Sequence, residues 1–150
     1  MTQQIILSMI GEGQIPHECR ITIDSAAIEG RRTYWLTFTS DVTGAAQFEG
    51  MDAFPCLVDL RHHLERLGYR LLCNGARPNV WPSPMSRQSG GDRIYVLEFG
   101  KPASLADLVW TFDPTTADKV GTVAEQRAFV REWFDSLGAH NTDDEPSDRR

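Results

Sequence analysis

The side chains best suited to chemistry lie in one segment, residues 76–91, between two apolar strand-like runs. Arg77 and Arg87 carry guanidinium groups, which can bind a carboxylate or a phosphate through two parallel hydrogen bonds. Ser83 and Ser86 lie between them and add hydroxyl donors, and the glycines that follow would let backbone N–H groups approach an anion. The segment therefore predicts a site for an anionic group, although its spacing matches no phosphate-binding fingerprint.

The same segment has two other interpretations. Its prolines and serines are typical of turns, so that Arg77 and Arg87 would pair with acids of the same domain. Trp81 and Met85 would instead be anchors for a protein partner, because large apolar side chains dominate interface energetics. Alternatively, Trp81 would pack against the sheet, and Met85 would then be the better candidate for an anchor to a protein partner. The segment is thus interpreted as an anion site, a protein interface or a structural loop.

No spacing in the chain is typical of a catalytic site. Ser83 and Ser86 lack the G-x-S-x-G elbow of a nucleophilic serine, and Cys73 has no motif-linked base. His62 and His63 are adjacent on a predicted helix, so they point about 100° apart and cannot form an i, i+4 metal pair. We therefore predict no catalytic residue, no metal site and no cofactor, and we favour a binding protein over an enzyme.

Composition and charge restrict the class of partner. The chain has 150 residues and a formal net charge of −6, which opposes nonspecific binding to nucleic acid or to anionic lipid and favours a basic protein partner. No apolar run approaches the ~20 residues that span a bilayer. The start of the chain is typical of a first strand and not of a signal peptide, so we expect a cytoplasmic protein. The three cysteines are predicted to be buried free thiols, and the sequence indicates no oligomeric state.

Alternation of apolar and polar residues predicts strands. Residues 19–24 and 33–39 each place every second side chain on an apolar face, and the turn-like residues 29–31 between them indicate a hairpin. Further strands are predicted at the start of the chain and over residues 69–73, 93–99 and 105–112.

Two helices are predicted from their caps. Asp52 can cap the first helix, in which leucines recur at three- and four-residue steps until Gly68, with Arg61 on the polar face. Thr122 and Glu125 match the capping box of the second helix, whose apolar stripe includes Trp133.

The order of these elements predicts an α+β fold. We expect a mostly antiparallel sheet of about five or six strands with two helices on one face, because strict strand–helix alternation is absent. A single domain is predicted over residues 1–138, followed by a flexible acidic tail over residues 139–150.

A set of residues between Leu60 and Leu137 forms a recognisable pattern. Its members are Leu60-Arg61, Leu64-Glu65, Gly68, Asn74-Gly75-Ala76-Arg77, Val80, Ser83, Met85, Arg87, Gly91, Tyr95, Gly100, Phe112 and the helix start Thr122 to Gln126. In this pattern the chain resembles small bacterial cytosolic proteins of unassigned function, which are similar in size, acidity and α+β character to immunity proteins of bacterial toxin systems. The resemblance implies protein binding and names no chemistry, and Pro84 departs from the pattern by stiffening the segment.

The leading hypothesis is a noncatalytic cytosolic protein-binding module, an immunity-like inhibitor of a bacterial toxin. The alternative is a small enzyme or ligand-binding protein that holds an anionic metabolite in residues 76–91, and a third interpretation is a structural subunit of a larger assembly. Whether the segment lines a concave pocket with converging donors or forms a convex ridge discriminates between the second hypothesis and the first. The candidate binding residues are Arg77, Trp81, Ser83, Met85, Ser86 and Arg87.

Overall fold

A computed structural model describes residues 2–138 and shows an α+β fold, as the sequence predicted. The predicted tail over residues 139–150 lies outside the described residues. The first sheet is antiparallel and has five strands in the order β4-β3-β2-β1-β5. Its strands are β1 (Gln3–Ile10), β2 (Pro16–Ile28), β3 (Arg31–Ser40), β4 (Gly44–Gly50) and β5 (Arg70–Leu71).

The predicted hairpin is the centre of this sheet. Strands β2 and β3 pair in antiparallel register, with Ile21 opposite Phe38, and Ile21 also lies opposite Ile5 of β1. Because directly opposite residues of neighbouring antiparallel strands point to the same side of a sheet, these three apolar residues share one face. Ile21 and Phe38 are buried there, so this face forms the main core of the protein.

Helix α1 (Ala53–Arg66) covers that face of the sheet. As predicted, Asp52 caps it: the Oδ1 atom accepts a hydrogen bond of 2.8 Å from the backbone N–H of Phe54. Leu57, Leu60 and Leu64 recur at helical spacing and are fully buried in the main core. The amphipathic pattern therefore placed this helix correctly.

The prediction that Arg61 belongs to the polar face of α1 is wrong, because its exposed fraction is only 2%. Its guanidinium donates hydrogen bonds to the backbone carbonyl oxygens of Gly75, Ala76 and Gly121 at 3.3, 3.4 and 3.1 Å. A fourth bond of 2.8 Å goes to Oε1 of Gln126, a buried residue of the last helix. The face of α1 that looked solvent-exposed in sequence is covered by chain segments distant in sequence.

The strands after β5 form a second sheet and do not extend the first. This antiparallel sheet has the order β6-β7-β8, where β6 is Val80–Trp81, β7 is Arg93–Val96 and β8 is Leu108–Trp110. The chain leaves the first sheet after β5 through a short 3₁₀ helix, Asn74–Ala76. Gly75 makes this departure possible, because a Cβ there would collide with the side chain of Leu57 on α1.

Helix α3 (Val123–Ser136) begins at the predicted capping box. The Thr122 hydroxyl accepts from the Glu125 N–H at 3.0 Å, and the Glu125 carboxylate accepts from the Thr122 N–H at 2.8 Å. Trp133 is buried against Leu97, which follows β7, and its Nε1–H donates to the carbonyl oxygen of Lys101 at 2.9 Å. Helix α3 therefore packs on the second sheet, whereas the sequence pattern suggested that both helices share one sheet face.

We expect replacement of Arg61 by Met to destabilise the fold by about 3 kcal/mol or more, because Gln126 and the three backbone carbonyls would lose a buried cationic donor. Arg66→Met is the matched control, since Arg66 is exposed on the same helix and should change stability by less than about 0.5 kcal/mol. Urea denaturation followed by circular dichroism measures both. Equal stability of the two variants would contradict this account of Arg61.

Replacement of Trp133 by Ala should lower the free energy of unfolding by about 3–5 kcal/mol through lost burial and a residual cavity. Trp110, which is 47% exposed on β8, provides the control, and its Ala variant should lose no more than about 1 kcal/mol. An unchanged urea midpoint for Trp133→Ala would show that α3 does not pack as described.

Candidate functional site

A concave pocket of about 450 Å³ opens between residues 76–91, strand β7 and helix α3. Trp81, Tyr95, Trp133 and Phe134 supply aromatic walls, and Arg87 lines the same cavity. We call this cavity the aromatic pocket. The segment singled out in the sequence therefore lines a concave site instead of forming a convex ridge. Of its four predicted donors, however, only Ser83 and Arg87 belong to the lining, so the donors expected of a small-anion site do not all converge there.

The segment has its own secondary structure, which explains its length. After β6 it forms a short helix, α2 (Pro84–Gln88). Ser83 caps this helix, since its hydroxyl accepts a hydrogen bond of 3.0 Å from the Ser86 N–H. Pro84 fits the first turn because a backbone N–H at that position would have no partner within the helix. The prolines and the first serine thus shape one wall of the pocket.

The C-terminal end of residues 76–91 is hydrogen-bonded to the start of α1. The carbonyl oxygen of Gly90 accepts a hydrogen bond of 2.8 Å from the Ala53 N–H. Gly91 has a φ of +75°, and a Cβ at that position would collide with Oδ1 of Asp52. Glycine therefore allows the segment to lie directly against the cap of α1.

Ser86 connects the segment to the second sheet. Its hydroxyl donates a hydrogen bond to the backbone carbonyl oxygen of Arg93 on β7. Helix α2 and strand β7 are therefore held together beside the pocket, and this hydroxyl is used within the fold.

Arg87 is the cation of the aromatic pocket. Its guanidinium lies 3.6 Å from the Asp52 carboxylate and 5.5 and 5.7 Å from the ring centroids of Phe54 and Trp81. The separation from Asp52 exceeds a normal hydrogen bond, and a guanidinium has five donors, so Arg87 keeps donors for a bound group. Burial raises the pKa of Asp52, and the Phe54 N–H and Arg87 oppose that rise.

Arg77, Trp81 and Met85 have three different environments. Arg77 does not line the aromatic pocket, and its carbonyl oxygen accepts a hydrogen bond of 2.8 Å from Gln126 on α3. Arg77 and Arg87, which the sequence predicted to share an anion site, are therefore not brought together in this cavity. Trp81 packs edge-to-face on Phe54, with centroids 5.4 Å apart, and also forms a pocket wall, whereas Met85 lies outside the wall on the exposed side of α2.

Three aromatic lining residues are not evident from the sequence. Trp133 and Phe134 fit the apolar stripe of a helix, and Tyr95 lies within a strand pattern. The alternation of Tyr95 with the buried Ile94 was the local signal that its ring faces away from the core beneath. No pattern in the sequence indicated that this ring would meet α3.

The three thiols are not placed for nucleophilic chemistry. Cys19, Cys56 and Cys73 are free and buried, and burial raises the pKa of Cys19 and Cys56 to about 12 and that of Cys73 to about 11. At neutral pH they are therefore protonated. Across residues 2–138, no cluster of three or more His, Cys, Asp or Glu side chains could hold a metal ion.

We expect Ellman's reagent at pH 8 to find no fast-reacting thiol in the native protein and three after denaturation in guanidinium. With a folded pKa of about 11, only about one thiol in a thousand is ionised at that pH, and burial blocks access as well. Ala45→Cys, at an exposed site on β4, is the positive control and should react at once. Fast reaction of one native cysteine would contradict the buried environment described.

No protein-family model matches this chain, and a search of curated proteins produced no match. Over residues 2–138, no helix combines the length and apolar character needed to cross a membrane. The aromatic pocket and the charges beside it are therefore the features from which a function is inferred.

Proposed function

We propose that this protein is a noncatalytic binding module that recognises a protein partner through the aromatic pocket. The observation that carries this proposal is a set of exposed apolar side chains that lie close in sequence to the pocket lining. Met85, Phe99 and Leu105 are 70%, 48% and 75% exposed, and each lies within two residues of a pocket-lining residue. Exposed apolar side chains around a concave site are typical of surfaces that bind another protein.

The pocket suits the anchor side chain of such a partner. Interface energy concentrates in a few large side chains that fill well-packed pockets, with less important contacts around them that exclude water. A cavity of about 450 Å³ with aromatic walls accommodates an aromatic or large aliphatic anchor. Met85, Phe99 and Leu105 would then form the surrounding contacts.

The immunity-like hypothesis belongs to the same proposal, with a bacterial toxin as the partner. The formal net charge of −6 favours long-range attraction of a basic partner. We also propose a cytoplasmic location, since three free thiols suit a reducing compartment.

A second candidate function is the binding of a small anionic metabolite, as a ligand-binding protein or a small enzyme would do. Arg87 favours this candidate, because it lines the cavity and its only ion pair among residues 2–138 is the 3.6 Å contact with Asp52. An apolar ligand body with one carboxylate would match the aromatic walls and this cation.

Selection of binders from a random twelve-residue peptide library on the immobilised full chain tests the main proposal. We expect peptides that share an aromatic or large aliphatic residue, and we expect Ala103→Trp to weaken them at least tenfold by filling the cavity. Ala103 lines the pocket but is exposed, so this substitution leaves the core intact.

Ala124→Trp is the matched control, because Ala124 is exposed on α3 and does not line the pocket. It should bind the selected peptides as the unmodified protein does. If Ala103→Trp and Ala124→Trp bind equally well, the pocket is not the recognition site and the main proposal fails.

Thermal melting with indole-3-acetate and its neutral amide tests the second candidate. Stabilisation by the carboxylate alone, abolished by Arg87→Gln, is the expected result for an anion-binding pocket. No shift in melting temperature with either compound would rule out the ligand-site function.

A further inference from the structure

We propose that the partner segment is acidic, with an apolar anchor flanked by carboxylates that Arg87 and Arg93 bind. This inference rests on the proposed function and specifies the chemistry of the partner. It predicts a local preference opposite to the one indicated by the net charge of the chain.

The charge of the aromatic pocket itself is the first observation. Among the lining residues that belong to the described range 2–138, Arg87 is the only permanently charged one, and none is Asp or Glu. The Arg87 side chain is one-third exposed and its guanidinium lies over two aromatic rings, so little side-chain freedom remains to be lost on binding. A carboxylate next to the anchor would reach this cation, whereas a cationic group would be repelled by it.

Arg93 is the second cation on this surface. It lies two residues before Tyr95 on β7, so both side chains point to the same face of the second sheet about 7 Å apart. Its guanidinium stacks on the exposed Trp110 ring, with 4.3 Å to the ring centroid. Stacking uses the face of the guanidinium and leaves its N–H groups available at the edge. Among residues 2–138, no carboxylate lies within ion-pair distance of Arg93.

The two cations are positioned by the fold. The Ser86 hydroxyl, next to Arg87 in sequence, binds the backbone carbonyl oxygen of Arg93 and fixes α2 against β7. An extended peptide advances about 3.3 Å per residue, so two residues span the distance from Tyr95 to Arg93. An anchor in the pocket would therefore place one carboxylate beside Arg87 and a second carboxylate, two residues from the anchor, at Arg93.

A peptide suits this surface better than a nucleic acid does. Single-stranded nucleic acids also combine negative charge with stacking, but they require a basic groove along several nucleotides. The formal net charge of −6 opposes a polyanion that extends beyond the two arginines. A short acidic segment meets the cations without crossing the acidic remainder of the surface.

Fluorescence anisotropy with four rhodamine-labelled seven-residue peptides and the full chain tests this inference. The acidic peptide has a central tryptophan, an aspartate next to it and a second aspartate two residues away on the other side. In the other three peptides, both aspartates are replaced by asparagine, both are replaced by lysine, or the tryptophan is replaced by alanine. We expect the acidic peptide to bind at least tenfold more tightly than the asparagine peptide, with the lysine and alanine peptides weaker still.

Variants identify the cations responsible. Arg87→Gln and Arg93→Gln should each weaken the acidic peptide about tenfold and the asparagine peptide by less than about threefold, since the charge-assisted bond to a carboxylate is stronger than a bond to an uncharged amide. Arg20→Gln, at an exposed site on β2, is the matched control and should change neither affinity. Arg93→Gln keeps the test decisive even if Arg87→Gln proves unstable, because Arg93 is exposed.

The outcomes separate this inference from the proposed function. Equal binding of the acidic and asparagine peptides, both abolished by Ala103→Trp, would overturn the inference and retain the pocket as a protein-binding site. No binding of any tryptophan peptide would count against both. Tighter binding of the lysine peptide, or of oligothymidylate than of the acidic peptide, would also overturn the inference.

Discussion

The buried guanidinium of Arg61 is the interaction on which the arrangement of this protein depends. A charge removed from water is stabilised only where the surrounding polar groups replace its hydration. Here the replacement comes from three backbone carbonyl oxygens and from Gln126, which belong to chain segments far apart in sequence. Arg61 is therefore satisfied only when α1, the 3₁₀ helix at Asn74–Ala76 and the start of α3 are all in place.

The same cluster positions the aromatic pocket. Gln126 accepts from Arg61 and donates to the carbonyl oxygens of Gly75 and Arg77, so α3 is joined to the beginning of residues 76–91. The end of that segment is joined to α1 by the bond between Ala53 and Gly90. Helix α3 and both ends of residues 76–91 are thereby connected to α1, which explains how a long surface connection forms a defined cavity.

The chemistry of the surface follows from what the core leaves exposed. Val80 and Ile94 of the second sheet face the core, and alternation turns Trp81, Tyr95 and Arg93 toward the opposite side. The guanidiniums of Arg87 and Arg93 lie over the rings of Trp81 and Trp110, so this part of the surface carries both apolar rings and cations. This local character differs from the acidity of the whole chain, because contact chemistry depends on the few groups at the site and net charge acts mainly over longer distances.

The sequence by itself determined the features that depend on near neighbours in the chain. Strand alternation, the Asp52 cap and the capping box at Thr122 are local patterns, and they predicted the hairpin and both long helices. The sequence also indicated residues 76–91 as a candidate site, and part of that segment lines the aromatic pocket. Only the tertiary structure decided that the strands form two sheets, that Arg61 is buried, and that Trp133 and Phe134 line a pocket together with Trp81. These features depend on contacts between residues as far as 65 positions apart, such as Arg61 with Gln126, and neither periodicity nor local propensity contains that information.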